Sequence, residues 1–255
     1  MDPLSSYLLA VAVVGGTGAF AVSADLYARV FRRRGARVLD VYTAVLALAV
    51  VPGVVVLGPA LVVGTAGGWR LGAGAAVGAV VGVVARAVDR RVVRAAARRR
   101  RDGGGRRASA GGGSEARRVT RVEPSGGALL LGGGPRRAGP AVSRAAAPLD
   151  RGQFPLGTVV LVALAEELCY RGVLLRAALL PGGWIAAALV IGTVIVFALA
   201  HVTFGWEHVL AKAPLGVLTT AVVLLSGTIV PAAVAHVVFN VSVWRDIRST
   251  GSVSG

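Results

Sequence analysis

The chain is nearly empty of cysteine and lysine, and poor in acids. Cys169 is its only cysteine, so no internal disulfide can form. Set inside an apolar run, it reads as a small buried side chain rather than a nucleophile. Lys212 is the only lysine, and every other basic residue is an arginine. Acids number 12 against 28 basic residues, for a net charge of +16. Such a surplus first raises nucleic-acid binding. It lies beside apolar runs, however, where basic loops mark the cytoplasmic side of a membrane, and no nucleic-acid partner is expected. The opening "MDPLSSYLLAVAVV" lacks a basic n-region and reads as a retained anchor rather than a cleaved signal. Also missing are G-x-S-x-G, H-E-x-x-H and G-x-G-D, the signatures of rhomboid-like, site-2-like and presenilin-like proteases.

What the chain has in abundance is apolar residues: 55% of its positions. A mean hydropathy of +0.71 is too high for an ordinary soluble domain. The fold class this predicts is all-α, a polytopic membrane helix bundle of about seven spans. Residues 1–88 hold three apolar runs, at about Ser6–Val22, Val41–Val63 and Leu71–Val88. The second contains Pro52-Gly53, tolerated in membrane helices; the third is rich in Gly and Ala and suited to close packing. Residues 89–153 carry 16 Arg against 5 acids with no apolar period, and read as a basic, disordered cytoplasmic linker able to meet anionic lipid. Residues 154–244 hold four more runs, about Phe154–Leu180, Ile185–Phe204, Val209–Leu225 and Thr228–Trp244, and residues 245–255 form a tail. The arginine clusters place the N-terminus outside and the linker and tail in the cytoplasm. Arginine in place of lysine, with abundant Ala, Val and Gly, fits a GC-rich genome and a prokaryotic cell membrane.

The first two runs carry no charge in their central parts, whereas the C-terminal block does. A charge near mid-helix costs about 3 kcal/mol on insertion scales, so such residues face the bundle interior and serve a purpose. In "LVALAEELCYRGVLL", Glu167 and Arg171 stand at i,i+4 and can pair on one face. Glu166 is rotated about 100° from Glu167 and points elsewhere, toward a cavity. A packing role for a buried Glu–Arg pair explains one glutamate and leaves the other unexplained. "FALAH" sets Phe197 and His201 at i,i+4, a weak signal alone. "HVVFN" does the same for His236 and Asn240, where an interhelical hydrogen-bond pair is the plain alternative. His208 and Glu207 read as interfacial, with Trp206 as a headgroup anchor. Glu166, His201 and His236 are expected to line one cavity open to the cytoplasm.

E-E-x-x-x-R, F-x-x-x-H and H-x-x-x-N, in this order and each on its own span, resemble the CPBP family, the CAAX prenyl protease type 2 and bacteriocin-processing or immunity (Abi) intramembrane proteases. The resemblance covers about Phe154–Trp244. It implies an intramembrane endopeptidase in which Glu166, His201, His236 and Asn240 are catalytic and Glu167, Arg171 and Phe197 supporting. Glu166 takes the place of the glutamate that activates water, and His236 with Asn240 the place of the oxyanion-stabilising pair. The implied substrate is a membrane-embedded or lipidated peptide, of CAAX or bacteriocin type.

The chemistry suits the residues. Amide hydrolysis needs an activated water, a proton donor for the leaving amine and something to hold the oxyanion. A zinc ion held by Glu166, His201 and His236 is allowed by ligand type. Asn240 is a poor zinc ligand and the adjacent glutamates diverge, so a metal-free mechanism is favoured. Two rival functions remain. One is a non-catalytic membrane scaffold or immunity factor of the same fold. The other is a proton-coupled carrier, which calls for inverted repeats that the sequence does not show.

Overall fold

The structure is a computed structural model that describes residues 3–31, 37–58, 60, 64, 69–110, 155–202 and 206–251. All regular structure among them is helical. Helix α1 (Pro3–Leu26) runs into a π-helical turn, Tyr27–Phe31, and is followed by α2 (Val38–Leu57) and α3 (Trp69–Ala110). The C-terminal block begins with α4 (Leu156–Glu167), a π-helical stretch Leu168–Leu174, and α5 (Leu175–Leu179). It continues with α6 (Gly183–Leu199), α7 (Trp206–Ser226) and α8 (Val230–Gly251). Each apolar run read from the sequence therefore forms helix over most of its described residues. Among the described residues, four stretches are long and apolar enough to cross a membrane by length and composition: Leu8–Phe31, Val38–Leu57, Leu71–Ala96 and Trp206–Ser226. Of the other three expected spans, α6 has only 17 residues, α4 to α5 is interrupted by its π-helical stretch, and α8 carries the polar residues of the last motif.

Two boundaries differ from the sequence reading for clear reasons. Helix α3 continues past Asp89 through Ala110, into the stretch assigned to the linker. Arg and Ala are strong helix formers. Arg86 and Arg90 also tie this part of α3 to Asp246 of α8, at 2.6 and 2.8 Å, and Arg86 pairs with Asp89 as well. The rest of the expected linker, residues 111–153, for which the composition predicts disorder, lies outside the described residues. Helix α6 ends at Leu199, short of the expected Phe204, so His201 follows the helix in a turn instead of riding on it.

Helix α8 lies at the centre of the arrangement, packed against α3, α4 and α7. The expected close approach of the third run is made here. Gly74, Gly78 and Gly82 stand one turn apart on α3 and face Pro231, Ala235 and Val238 of α8. A Cβ at Gly82 would come 2.5 Å from the Ala235 carbonyl oxygen, and one at Gly78 would strike the Pro231 backbone. Lipid offers helices no hydrophobic drive to associate, so bare backbone that permits intimate contact supplies dispersion instead. The same device docks the N-terminal hairpin. Gly16 of α1 lies under Cys169, where an added Cβ would sit 2.7 Å from the Sγ, and Gly53 of α2 lies against Val173. Both press on the π-helical stretch. Between α5 and α6 the chain reverses at Gly182 and Gly183, with φ of 71° and 54°, a left-handed pair that residues bearing a Cβ rarely adopt.

Candidate active site

The site is assembled where α4 meets α8. Glu166 and Glu167 close α4 and are followed at once by the π-helical stretch, in which residues 169–174 are all buried. π-Helical turns inside α-helices are frequent at functional sites. Arg171 lies on this stretch and is fully buried. Its Nη1 donates to Glu167 Oε1 at 3.0 Å, the i,i+4 pair foreseen from spacing. Its Nη2 donates to the Gly216 carbonyl of α7 at 3.2 Å, and its guanidinium lies 4.1 Å from the centroid of the Phe197 ring. One arginine thus joins three helices and neutralises one carboxylate.

His236 of α8 reaches both glutamates. Its Nδ1 is 2.8 Å from Glu167 Oε1, and its Nε2 is 3.3 Å from Glu166 Oε2. The first contact is a well-formed hydrogen bond. The second has the distance without the alignment, and Nε2 is a buried nitrogen with no hydrogen-bond partner. A carboxylate accepts, so Nδ1 carries the proton in the neutral ring and Nε2 presents its lone pair toward Glu166. The two carboxylates, splayed by one helical step, are therefore gathered by one imidazole that uses a different nitrogen for each.

Phe197 touches both histidines. Its ring stands edge-on to His236 at 5.7 Å and to His201 at 5.4 Å between centroids. His201 Nδ1 lies 3.0 Å from the Phe197 carbonyl oxygen, one of the carbonyls left open at the end of α6. That oxygen only accepts, so the Nδ1 proton is placed and Nε2 is the lone-pair nitrogen of His201. Asn240, one turn beyond His236, accepts a hydrogen bond at Oδ1 from Lys212 Nζ of α7 at 3.3 Å.

The expected cavity open to the cytoplasm is not what surrounds the acids. Exposure is 4% for Glu166, 0% for Glu167 and 0% for His236, so the cluster is enclosed by packed side chains. The reason lies in the neighbours: Tyr42, Phe197 and the buried π-helical stretch close over it. His201 and Asn240 are half-buried and stand nearer the edge. Among the described residues, no three His, Cys, Asp or Glu side chains form a group that could hold a metal ion. Glu166, His201 and His236, the set considered for zinc, are not brought together as ligands; His236 directs both ring nitrogens at carboxylates and His201 directs Nδ1 at a backbone carbonyl.

Two residues belong to this neighbourhood that sequence reasoning passed over. Tyr42 of α2 donates its hydroxyl to Glu166 Oε1 at 3.0 Å. A single tyrosine near the start of an apolar run looks interfacial, and nothing local distinguishes it. Lys212 gave a usable signal: the only lysine of the chain lies inside an apolar run, where an ionisable residue is functional by default.

Residues 153–242 match the family model described as type II CAAX prenyl endopeptidase, Rce1-like. The matched stretch contains Glu166, Glu167, Arg171, Phe197, His201, Lys212, His236 and Asn240; Tyr42 lies outside it. No curated protein and no solved structure matches the chain. The resemblance carried by the three motifs and this match agree: the block from α4 to α8 is similar to the Rce1-like type II CAAX prenyl endopeptidases, in a chain whose described residues include four helices long and apolar enough to cross a membrane.

Proposed function

We propose that the protein is an intramembrane endopeptidase that hydrolyses a peptide bond of a membrane-associated substrate with a water activated by Glu166. The observation that carries this reading is the imidazole of His236 held between two carboxylates, with its Nε2 turned to Glu166 and unsatisfied. Glu166 takes a proton from water as the water oxygen attacks the scissile carbonyl carbon. His201 Nε2 assists at the same water. The oxyanion is held from α8 by the Nδ2 amide donor of Asn240, while His236, its Nδ1 proton committed to Glu167, accepts at Nε2 from the Glu166 carboxyl once that group has taken the proton. Glu166 then returns the proton to the leaving nitrogen as the C–N bond breaks, which balances the step without any other reactant. Glu167, Arg171 and Phe197 position these groups.

The reading is metal-free. It is supported by the direction of the histidine nitrogens, and a chelator is expected to leave the rate unchanged. A substrate with a C-terminal CAAX-type segment is favoured by the family match. The linker and tail face the cytoplasm in this proposal, and the basic linker meets anionic lipid. Trp69 and Trp184 then fall at the outer interface and Trp206 at the inner one, all largely exposed, as interfacial anchors are.

The enclosure of the cluster favours a second reading, a non-catalytic scaffold of the same fold in which these residues only hold helices together. The two are separated by purifying the Glu166→Gln and His236→Ala variants in detergent and assaying cleavage of prenylated and unprenylated CAAX peptides in liposomes. Well-folded variants without cleavage support the peptidase. Cleavage that survives both substitutions sinks it, and activity restored to a chelated sample only by zinc overturns the metal-free step.

A further inference from the structure

Lys212 is a long basic side chain in the second turn of α7, a helix long and apolar enough to span a membrane. Two groups receive its ammonium: the Asn240 Oδ1 atom at 3.3 Å and the face of the Phe239 ring, 4.0 Å from its centroid. Both come from consecutive residues of α8, and no carboxylate pairs with it among the described residues. A ring face and an amide oxygen both favour the charged form over the neutral amine. A cation held this way in a membrane helix is costly, and a purely structural role would be met more cheaply by a methionine or leucine.

Its partner gives the reason. An amide side chain presents an oxygen on one side and an NH2 group on the other, and either face can be turned toward a neighbour. An ammonium has donors only, so it accepts just one of those two orientations. With Oδ1 turned to Lys212, the Nδ2 N–H bonds point away from it, and they have no partner among the described residues. Asn240 lies one helical turn from His236, on the same face of α8.

We infer that Lys212 is the positioning residue that sets the amide orientation of Asn240, so that Nδ2 rather than Oδ1 is offered to the developing oxyanion. The inference rests on the peptidase reading and adds a residue outside the three motifs to it. Were Lys212 absent, the amide could present its oxygen to the oxyanion, which repels it.

The test is a double-mutant cycle in the full-length protein in liposomes, read as kcat and KM for a CAAX peptide that the wild type cleaves. Asn240→Ala should lower kcat by about a hundredfold, the loss typical of one oxyanion donor. Lys212→Met should lower kcat by about tenfold or more and leave KM within about twofold, and should add nothing further in the Asn240→Ala background. Lys212→Arg, also a donor without an acceptor, should recover most of the rate. Losses of kcat that simply add, or a rise in KM that persists in the Asn240→Ala background, overturn the inference; the second outcome assigns Lys212 to a substrate anion instead.

A second measurement needs no activity. Because Lys212 is the only lysine, protein labelled with 13C at lysine Cε carries a single lysine side-chain resonance. That resonance should move in Asn240→Leu and stay in place in Ser249→Ala, far along the same helix. An unmoved signal in Asn240→Leu also overturns the inference, even where Lys212→Met fails to fold. If the wild type cleaves nothing while the resonance moves, the contact stands and the peptidase reading is what fails.

Discussion

The hydroxyl of Tyr42, on α2, donates to Glu166 Oε1 on α4 at 3.0 Å, between residues 124 positions apart. Tyr42 is buried, with the edge of Phe20 from α1 packed on it at 5.8 Å between centroids. The N-terminal hairpin, which no family model covers, thereby reaches the residue proposed to activate water. With His236 at the other oxygen, Glu166 is approached from two sides by two different helices.

The contact makes Tyr42→Phe an informative substitution. It removes one oxygen and keeps the ring against Phe20. The cost in stability should be about 1 kcal/mol, that of one hydrogen bond. Peptide cleavage should fall by about tenfold, since a positioned base loses a fixed orientation. Thermal unfolding in detergent beside a cleavage assay checks both; full activity in Tyr42→Phe would show that the hairpin only packs.

Glu167 and Arg171 form a buried ion pair, and the two ways of dismantling it should differ. Arg171→Met leaves a buried carboxylate beside His236 and abandons the Gly216 carbonyl, so it should destabilise by about 3–5 kcal/mol. Replacing both partners, as Glu167→Leu with Arg171→Met, should recover much of that stability. It should not recover cleavage, because His236 then loses the acceptor that fixes its Nδ1 proton. The measurement is the melting temperature of the three proteins set against their rates. A double variant that is both stable and active would remove Glu167 from any positioning role.

The glycine stripe of α3 carries a prediction with an internal control. Gly78→Leu places a side chain against the Pro231 backbone and pushes α8 away, taking His236 and Asn240 with it. It should abolish activity and lower the melting temperature sharply. Gly72, on the same helix, has nothing within 4 Å of an added Cβ, so Gly72→Ala should be neutral or stabilise by up to about 1 kcal/mol through helix propensity. Equal tolerance at the two positions would be incompatible with the α3–α8 contact.

Asp246, beyond the last expected span, gives the pH dependence. The hydrogen bond from Arg86, with that from Arg90, holds its carboxyl below the usual carboxylate range. A carboxylate lowered on folding contributes stability that is present above its unfolded value, about 3.9. That contribution is lost as the pH falls through the lower, folded value. Asp246→Asn should therefore melt below the wild type at pH 7, and the gap should narrow as the pH drops below about 4. A gap that does not change with pH would mean that the Arg86–Asp246–Arg90 clamp adds nothing electrostatic.

Legibility followed the range of the interaction. The Glu167–Arg171 pair was readable because its partners are four residues apart on one helix, and helical geometry alone makes them neighbours. The close packing of the third run was readable from its Gly and Ala content, though not the Gly74–Gly78–Gly82 stripe that makes the contact or its partner on α8. Helix ends were less so. The continuation of α3 past Asp89 depends on Asp246 across the bundle, and the early end of α6 left His201 binding the Phe197 carbonyl in a turn. The enclosure of the acids was not readable, because it depends on Tyr42, Phe197 and the π-helical stretch closing over them from separate helices.

By itself the sequence determined the helical, membrane-spanning class, the order of the motifs and the identity of the ionisable residues in the C-terminal block. These follow from local periodicity and from the cost of burying charge in oil, which any stretch of chain reveals alone. Only the tertiary structure decided that one imidazole serves both glutamates, that a tyrosine from α2 meets Glu166 and that a lysine from α7 meets Asn240. Those relationships depend on how helices far apart in the chain are rotated and pressed together. That is decided by the summed packing of many side chains and bare glycines, and no single segment encodes it.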